Sequence, residues 1–190
     1  MRKVLLAVAL TGLCSPAIAQ TMNVDVLART CNSCHGVDGV SAGVSMPSIG
    51  GLPREYLRKV MKQWKYGQRS GITMPRIVKG FSDDEIDALA AYFAKKEWVP
   101  SPQQAAADVL MKGQATVLDI CTDCHGAKGN DPDIDAPPLN GQWAKYMDLE
   151  VEKYLSSDFK MPHRRMKKAV DEAKPAEAAA AARYFGAQSR

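Results

Sequence analysis

The sequence predicts an all-α protein built from two tandem copies of one small unit. The motif Cys-x-x-Cys-His occurs twice, starting at Cys31 and at Cys121, and further matches follow at the same spacing of 90 positions. Apolar residues recur at helical spacing through both copies, and no segment shows the alternation of a β-strand. A chain of 190 residues has room for two such units.

The N-terminal segment has the three parts of a cleaved export signal. Met1-Arg2-Lys3 is basic, residues 4–13 are apolar, and Ala17-Ile18-Ala19 fits the small-x-small rule for cleavage. The alternative, a buried N-terminal helix, explains only the apolar part. We therefore predict a signal peptide over residues 1–19, a mature chain that begins at Gln20, and a periplasmic location.

Composition and charge exclude two classes of partner. The formal charge is +4 and the basic residues form no long run, which argues against nucleic acid. After the N-terminal segment no apolar stretch reaches about 18 residues, so no membrane span is predicted. Only 7% of the residues are aromatic, a small supply for two cores. This shortage indicates that a bound cofactor fills part of each unit.

Each unit is predicted to begin with two helices on either side of a glycine-rich loop. A short helix leads into the cysteine motif, over residues 24–30 and 113–120. An amphipathic helix follows the loop, roughly over residues 54–66 and 142–155. A loop that carries methionine then precedes a closing helix.

The closing helices are predicted from their first residues and from an aromatic pair. Ser82-Asp83-Asp84-Glu85 is a capping box, and Pro175 suits a first helical turn although Lys174 before it is a poor cap. Tyr92-Phe93 matches Tyr184-Phe185 at a spacing of 92, so two residues have been inserted. At the spacing of 90 the matched pairs are Gly36 and Gly126, Gly39 and Gly129, Pro47 and Pro137, Gly51 and Gly141, and Tyr56 and Tyr146.

Two prolines mark the boundary between the units. Pro100 and Pro102 break a helix and stiffen the connection. We predict an N-terminal domain over residues 20–98, a linker over 99–104, and a C-terminal domain over 105–190.

The spacing within the motif is typical of covalent haem attachment. Two thiols three positions apart reach one side of a porphyrin and form thioethers with its vinyl groups, while the next residue, histidine, points at the iron. The alternatives are a zinc ribbon, redox dithiols and structural disulfides. Histidine follows both pairs and the pairs lie in separate units, which favours two haem c groups. The predicted residues are Cys31, Cys34, Cys121 and Cys124 for attachment, with His35 and His125 as proximal iron ligands.

Each haem iron of this type takes a second axial ligand, and methionine or histidine is the usual residue. Met74 and Met166 each lie 18 positions before the Tyr-Phe pair of their unit, and no other methionine pair obeys this spacing. We therefore predict these two as the sixth ligands. For the second haem, Met161 and His163 remain alternatives.

Two further sets of residues have less specific interpretations. Pro47 and Pro137 each lie 12 positions after a predicted proximal histidine, where a loop carbonyl is placed to accept the imidazole N–H. The alternative is an ordinary loop proline. Four arginines near the methionine segments are either partners of haem propionates or parts of a solvated basic face: Arg69, Arg76, Arg164 and Arg165.

These motifs resemble a known family. Two consecutive Cys-x-x-Cys-His/Met units in an exported chain resemble the tandem dihaem cytochromes of the c4 type, which consist of two class I cytochrome c domains. Met46-Pro-Ser-Ile-Gly50, Met74-Pro-Arg-Ile-Val-Lys-Gly-Phe-Ser82 and Leu139-Asn-Gly-Gln-Trp143 look like the dihaem subunit of flavocytochrome c sulfide dehydrogenase. Ser157-Asp-Phe159 followed by Met166 is similar to the second-haem segment of that family.

The resemblance implies a partner, an FAD-containing flavoprotein subunit that oxidises sulfide. This chain would pass the electrons to an external acceptor such as a soluble cytochrome or an oxidase. It has no Gly-x-Gly-x-x-Gly fingerprint, so we predict no catalytic residue in it. Two other interpretations remain, a free dihaem carrier to a terminal oxidase and a dihaem enzyme such as a thiosulfate dehydrogenase or peroxidase. An enzyme would need an open or displaceable ligand site, and the paired methionines argue against one.

Overall fold

The computed structural model describes residues 23–134 and 136–189, and this part of the chain is helical with no strand, as predicted. The predicted signal peptide lies outside the described residues. None of the helices in the described residues combines the length and the hydrophobicity that a membrane span needs. The α-helices in chain order are α1 (Val24–His35), α2 (Arg54–Lys65), α3 (Met74–Val78), α4 (Asp83–Ala94), α5 (Ala107–Thr116), α6 (Thr122–His125), α7 (Ala144–Leu155), α8 (Arg164–Glu172) and α9 (Pro175–Gly186).

The first unit comprises α1 to α4. The Asn23 side chain accepts a hydrogen bond from the N–H of Asp25 at 3.1 Å and so caps α1. At the start of α4 the predicted capping box is present, since Ser82 Oγ accepts from the Glu85 N–H and the Glu85 carboxylate accepts from the Ser82 N–H. Helix α4 packs against both α1 and α2. The core between them consists of Ala28, Leu52, Leu57, Leu89, Ala90 and Phe93.

The second unit comprises α5 to α9. Helix α9 packs against α5 and α7, and it is rich in alanine, which lets α5 approach closely. A Cβ on Gly113 would lie 2.2 Å from the carbonyl oxygen of Ala180, so only glycine fits at this crossing. Glu177 accepts from the Lys174 N–H at 3.2 Å and supports the start of α9. The core consists of Val117, Met147, Ala181, Ala182, Tyr184 and Phe185.

Three features differ from the prediction. Both methionine segments contain a helix, α3 and α8, where only loops were expected. Pro75 lies in the first turn of α3, where a backbone N–H has no partner within the helix, so its lack of an N–H removes no hydrogen bond. The His163 side chain caps α8. The first helix of the second unit starts at Ala107 instead of residue 113, and a π-helical turn at Val117–Cys121 separates it from α6.

Equivalent backbone hydrogen bonds confirm that the two units are copies of one fold. The carbonyl of Gly39 accepts from the N–H of Ile49 at 2.8 Å, and the carbonyl of Gly129 accepts from the N–H of Leu139 at 2.8 Å. The glycine that follows each of these loops then donates to the closing helix of its own unit, Gly51 to Phe93 and Gly141 to Phe185, both at 2.9 Å.

The two units share a polar interface centred on Gln142. Its Oε1 accepts from the Ser48 N–H and its Nε2 donates to the Ser48 carbonyl, both at 3.0 Å. Both residues are buried. The indole N–H of Trp143 donates to the carbonyl of Ser41 at 3.1 Å. The loop of the first unit is therefore held by side chains that precede α7.

Two further sets of hydrogen bonds belong to this interface. The N–H of Ser70 donates to the carbonyl of Lys160, and the N–H of Lys160 donates to Ser70 Oγ, both at 2.8 Å. Trp98 follows the closing helix of the first unit, and its Nε1 donates at 3.0 Å to the side chain of Asn140, in the loop that precedes α7. The interface thus involves the methionine segments as well as the loops.

Candidate haem-binding sites

Each predicted proximal histidine is buried at the end of a helix that also carries cysteine. His35 Nδ1 donates to the Pro47 carbonyl at 2.8 Å, and His125 Nδ1 donates to the Pro137 carbonyl at 3.1 Å. Because a carbonyl only accepts, both rings carry hydrogen on Nδ1 and keep the Nε2 lone pair for a ligand. The hydrogen bonds predicted from the two proline loops are present.

The protonation state of both imidazoles suits iron binding. Burial lowers the pKa of His35 and of His125, although the carbonyl hydrogen bonds act in the opposite direction. Both rings are therefore neutral at neutral pH, and the neutral ring is the form that ligates a metal.

The four cysteines of the two motifs form no disulfide. Cys31 and Cys34 lie in the last turns of α1, Cys121 ends the π turn, and Cys124 lies in α6 beside His125. Burial raises the pKa of Cys31, and that of Cys121 to about 11, so both stay protonated. No group of three or more His, Cys, Asp or Glu side chains in the described part of the chain could hold a metal ion.

The chain turns sharply after each histidine. Gly36 and Gly126 have φ angles of 77° and 74°, in the left-handed region that favours glycine. A Cβ on Gly36 would lie 1.8 Å from the carbonyl oxygen of Val40, so no other residue fits without movement of the backbone. These turns begin the loops that return Pro47 and Pro137 to the imidazoles.

The donors present fit a covalently attached haem. In each unit the structure keeps two thiols and one neutral imidazole within a single short segment, with the imidazole Nε2 available. Thioether attachment and proximal ligation require these groups and no others from the protein. The predicted residues of each motif are therefore brought together, one set in each unit.

The predicted sixth ligands occupy corresponding places. Met74 is the first residue of α3, and Met166 lies in the first turn of α8; both are half-buried. Met161 is also half-buried and precedes α8. Met61 packs against the first core, as expected of a core methionine.

His163 has a structural role of its own. Its Nδ1 accepts a hydrogen bond from the Met166 N–H at 3.3 Å, which caps α8. The pKa of His125 is lowered mainly by burial and also by the positive charge that His163 can carry. The start of α8 therefore lies near His125, on the element where the second sixth ligand was predicted.

The four arginines fall into two groups. Arg76, Arg164 and Arg165 are exposed, as a solvated basic face would be. Arg69 is buried, with 8% of its side chain exposed, and its guanidinium pairs with Glu150 at 2.9 Å. Glu150 was missed by the sequence analysis, because the pair joins residues 81 positions apart and no motif marks either of them.

Comparison with known proteins identifies relatives over most of the chain. Residues 23–93 match the family described as cytochrome c oxidase, cbb3-type, subunit III. A cytochrome c4 of Pseudomonas aeruginosa is 31% identical over 79% of this chain and 78% of its own length. A thiosulfate dehydrogenase electron acceptor of Stutzerimonas stutzeri is 31% identical over 67% of this chain and 63% of its own. The cytochrome subunit of sulfide dehydrogenase of Chlorobaculum tepidum is 39% identical over 36% of this chain and 62% of its own.

A solved structure has the same architecture. Reduced recombinant cytochrome c4 from Pseudomonas stutzeri superposes with a TM-score of 0.75 at 23% identity, covering 87% of this chain and 97% of that one. This likeness confirms the predicted fold of two tandem cytochrome c domains.

Proposed function

We propose that this chain, which belongs to the cytochrome c4 family of dihaem electron-transfer proteins, acts as the cytochrome subunit of a sulfide dehydrogenase. As a member of that family it carries two covalently bound haem c groups. In this proposal a flavoprotein subunit oxidises sulfide, and this chain passes the electrons to an external acceptor in the periplasm.

The residues that hold the haems are proposed from the duplicated motif and its geometry. When bound, each haem supplies an iron that alternates between the ferric and ferrous states and so accepts and releases one electron. The cysteines form the thioethers and the histidines and methionines ligate the iron. In the first unit these are Cys31, Cys34, His35 and Met74; in the second they are Cys121, Cys124, His125 and Met166.

The buried histidines carry the electron-transfer part of the proposal. The Nδ1 hydrogen bonds of His35 and His125 hold each ring in one tautomer and one orientation, so little rearrangement accompanies a change of charge at the metal. The methionines contribute a soft sulfur, which favours the reduced iron and raises the reduction potential.

Two observations support the sulfide dehydrogenase assignment. The Chlorobaculum tepidum subunit has the highest identity among the three relatives above, although over only about a third of this chain. The segments Met46-Pro-Ser-Ile-Gly50 and Leu139-Asn-Gly-Gln-Trp143 resemble that family. Both segments contribute to the interface between the units, through Ser48 and Gln142.

A second candidate is a free dihaem carrier. The Pseudomonas aeruginosa cytochrome c4 matches both units, over 79% of this chain, whereas the sulfide dehydrogenase subunit matches 36%. The relative from Stutzerimonas stutzeri is described as an electron acceptor for thiosulfate dehydrogenase. A carrier of this kind would have no stable flavoprotein partner.

Gentle purification from the native host distinguishes the two. We expect a flavoprotein to copurify with this chain and the haems to become reduced when sulfide is added. A lone dihaem protein that stays oxidised with sulfide, yet is reduced by ascorbate, would exclude the sulfide dehydrogenase and favour the free carrier. The matched control is thiosulfate in place of sulfide.

A further inference from the structure

Helix α8 carries its charges in the reverse of the favourable order. Its first five residues include four cations and no anion. These cations lie on one side of the helix and are called the basic face: Arg164, Arg165, Lys167 and Lys168. The carboxylates of α8, Asp171 and Glu172, are its last two residues. The helix dipole favours anions at the first turn and cations at the last, so both ends of α8 are charged unfavourably.

The basic face also repels itself, which makes it costly for the fold. Arg164 and Lys168 are one turn apart, where like charges destabilise a helix. Helices α2, α4 and α9 instead have a carboxylate in the first turn, at Glu55, Asp83 and Glu177. A local arrangement that lowers the stability of its own helix points to a function that requires it.

The basic face is found in the second unit only. The two methionine helices are related by the spacing of 92, and of the four cations only Lys168 has a basic counterpart, Arg76. The other three positions hold uncharged residues in the first unit: Ile72, Thr73 and Pro75. The face is therefore a property of the second unit and not of the fold that both units share.

Contacts of α8 place the basic face beside the second haem motif. The Arg165 guanidinium donates to the Asp133 carboxylate at 3.3 Å, and the N–H of Asp133 donates to the carbonyl of Cys124 at 3.0 Å. Helix α8 also contacts the π-helical turn that ends at Cys121. The face thus lies close to both cysteines proposed to attach the second haem.

The cations of the basic face are accessible to a partner. Arg164 and Lys168 are exposed, and neither forms an ion pair with another described residue. Arg165 keeps 61% of its side chain exposed although it pairs with Asp133. A mostly charged face of this kind suits a transient redox partner, because a stable subunit buries a larger and more apolar area.

We propose that the basic face of α8 is the docking surface for an acidic electron acceptor, which takes electrons from the second haem. Opposite charge steers such a protein to the face and orients it there. In the transfer the second haem iron is oxidised from ferrous to ferric and the acceptor gains one electron, while no bond forms or breaks. The inference rests on the proposed function in requiring bound haems and an external acceptor, but not sulfide or a flavoprotein.

Stopped-flow mixing of the reduced dihaem protein with plant plastocyanin, an acidic blue-copper protein, tests this. The double variant Arg164→Gln/Lys168→Gln is expected to transfer electrons about tenfold more slowly at low ionic strength. The rates of variant and wild type should converge at high ionic strength, where salt screens the charges. Arg76→Gln/Lys79→Gln removes the same charge from the methionine segment of the first unit and is the matched control, which should keep most of the wild-type rate.

Carbodiimide crosslinking to plastocyanin gives a readout that does not depend on electron transfer. The reagent joins lysine amines to carboxylates that are in contact. Peptide mapping is expected to find crosslinks at Lys167 or Lys168 and not at Lys79. Crosslinks confined to the first unit would overturn the proposal.

Stability separates a docking surface from a structural role. Removal of two repelling cations from the start of α8 is expected to leave the denaturant midpoint of Arg164→Gln/Lys168→Gln unchanged or higher. A lower midpoint would show that these cations hold α8 in place and would overturn the proposal. An equal loss of rate in the control variant, or a loss that persists at high ionic strength, would also overturn it, because net charge or an altered haem would then be the cause. None of these measurements uses sulfide, so a failure here is distinct from a failure of the sulfide dehydrogenase assignment.

Discussion

His35 and His125 illustrate how single residues set the chemistry of this protein. Each is buried, neutral and fixed through Nδ1 by a carbonyl of the following loop. The acceptor is a main-chain group, so the bond survives side-chain changes in the loop as long as the loop keeps its shape. The residues most open to test are therefore the methionines proposed as sixth ligands and the cysteines proposed for haem attachment.

Met166→Ala is expected to leave both haems attached and to lower the potential of the second haem. Loss of the thioether sulfur removes a ligand that favours ferrous iron, and axial ligands span a range of roughly 0.8 V. The weak near-infrared band of methionine-ligated ferric haem should lose intensity at the same time. Redox titration and absorption spectroscopy measure both effects.

Met161→Ala is the matched control, since this methionine is also half-buried and lies five positions earlier. We expect its potentials to equal those of the wild type. If Met161→Ala instead lowers the potential and Met166→Ala does not, the choice of ligand from the repeat is wrong. Met74→Ala provides the equivalent test for the first haem.

Cys121→Ala is expected to reduce covalent haem to about one per chain, because each motif needs its own thiols for attachment. Haem that remains on denatured protein measures this directly. Cys14→Ala, at a cysteine that lies in the predicted signal peptide and outside both motifs, is the control and should retain both haems. Two covalent haems in Cys121→Ala would contradict the motif assignment.

At the scale of elements, the turns after the histidines place the strictest demand on sequence. Gly36→Ala should lower the free energy of unfolding by about 1–2 kcal/mol for the left-handed backbone, and by about 1–3 kcal/mol more for the collision with Val40. Denaturant titration measures the loss.

Gly67→Ala isolates the backbone contribution. Gly67 also has a positive φ, 67°, but a Cβ there would meet nothing within 4 Å. We expect Gly67→Ala to cost only the about 1–2 kcal/mol of left-handed strain. Equal losses in the two variants would show that the close contact at Gly36 relaxes without cost.

Helices that begin with a capping box or show an amphipathic pattern were predicted from the sequence, and helices without such local features were not. The capping box at Ser82 and the amphipathic pattern of α2 are local, and both are present in the structure. Helix α8 is mostly charged, buries only Val170, and is capped by histidine, which is not among the usual capping residues. Its formation depends on packing in the second unit, which a local pattern does not report.

At the scale of the whole molecule, the two haem motifs could be recognised in the sequence because they repeat. The interface between the units could not be predicted. Arg69 and Glu150 are 81 positions apart, and Ser48 and Gln142 are 94 positions apart. Each is an ordinary polar residue in its own segment. Only the fold shows that they meet, so the sequence predicted two units without predicting how they join.

Gln142→Ala is expected to weaken the joint between the units. It leaves the buried N–H and carbonyl of Ser48 without partners, at a cost of about 1–3 kcal/mol for each group. Unfolding by denaturant measures the loss and shows whether the units still unfold in one transition.

Gln188→Ala is the control for this change. It removes a single hydrogen bond from Nε2 to the Tyr184 carbonyl, within the second unit. A loss of about 0.5–1.5 kcal/mol is expected, with the transition unchanged. If the two variants lose the same amount, then water replaces Gln142 at Ser48 and the contact contributes little to cohesion.

The contact between Ser70 and Lys160 has a consequence for the history of the chain. These positions are 90 apart, the spacing of the repeat, so nearly the same point of each copy touches its counterpart. In a symmetric homodimer an interface meets itself in this way. A single-unit ancestor that paired through this segment would, after gene fusion, leave the contact now seen. Such a fusion would free each half to mutate separately. Arg69 has Phe159 at the equivalent position 90 residues later, a difference that a homodimer of identical chains cannot have.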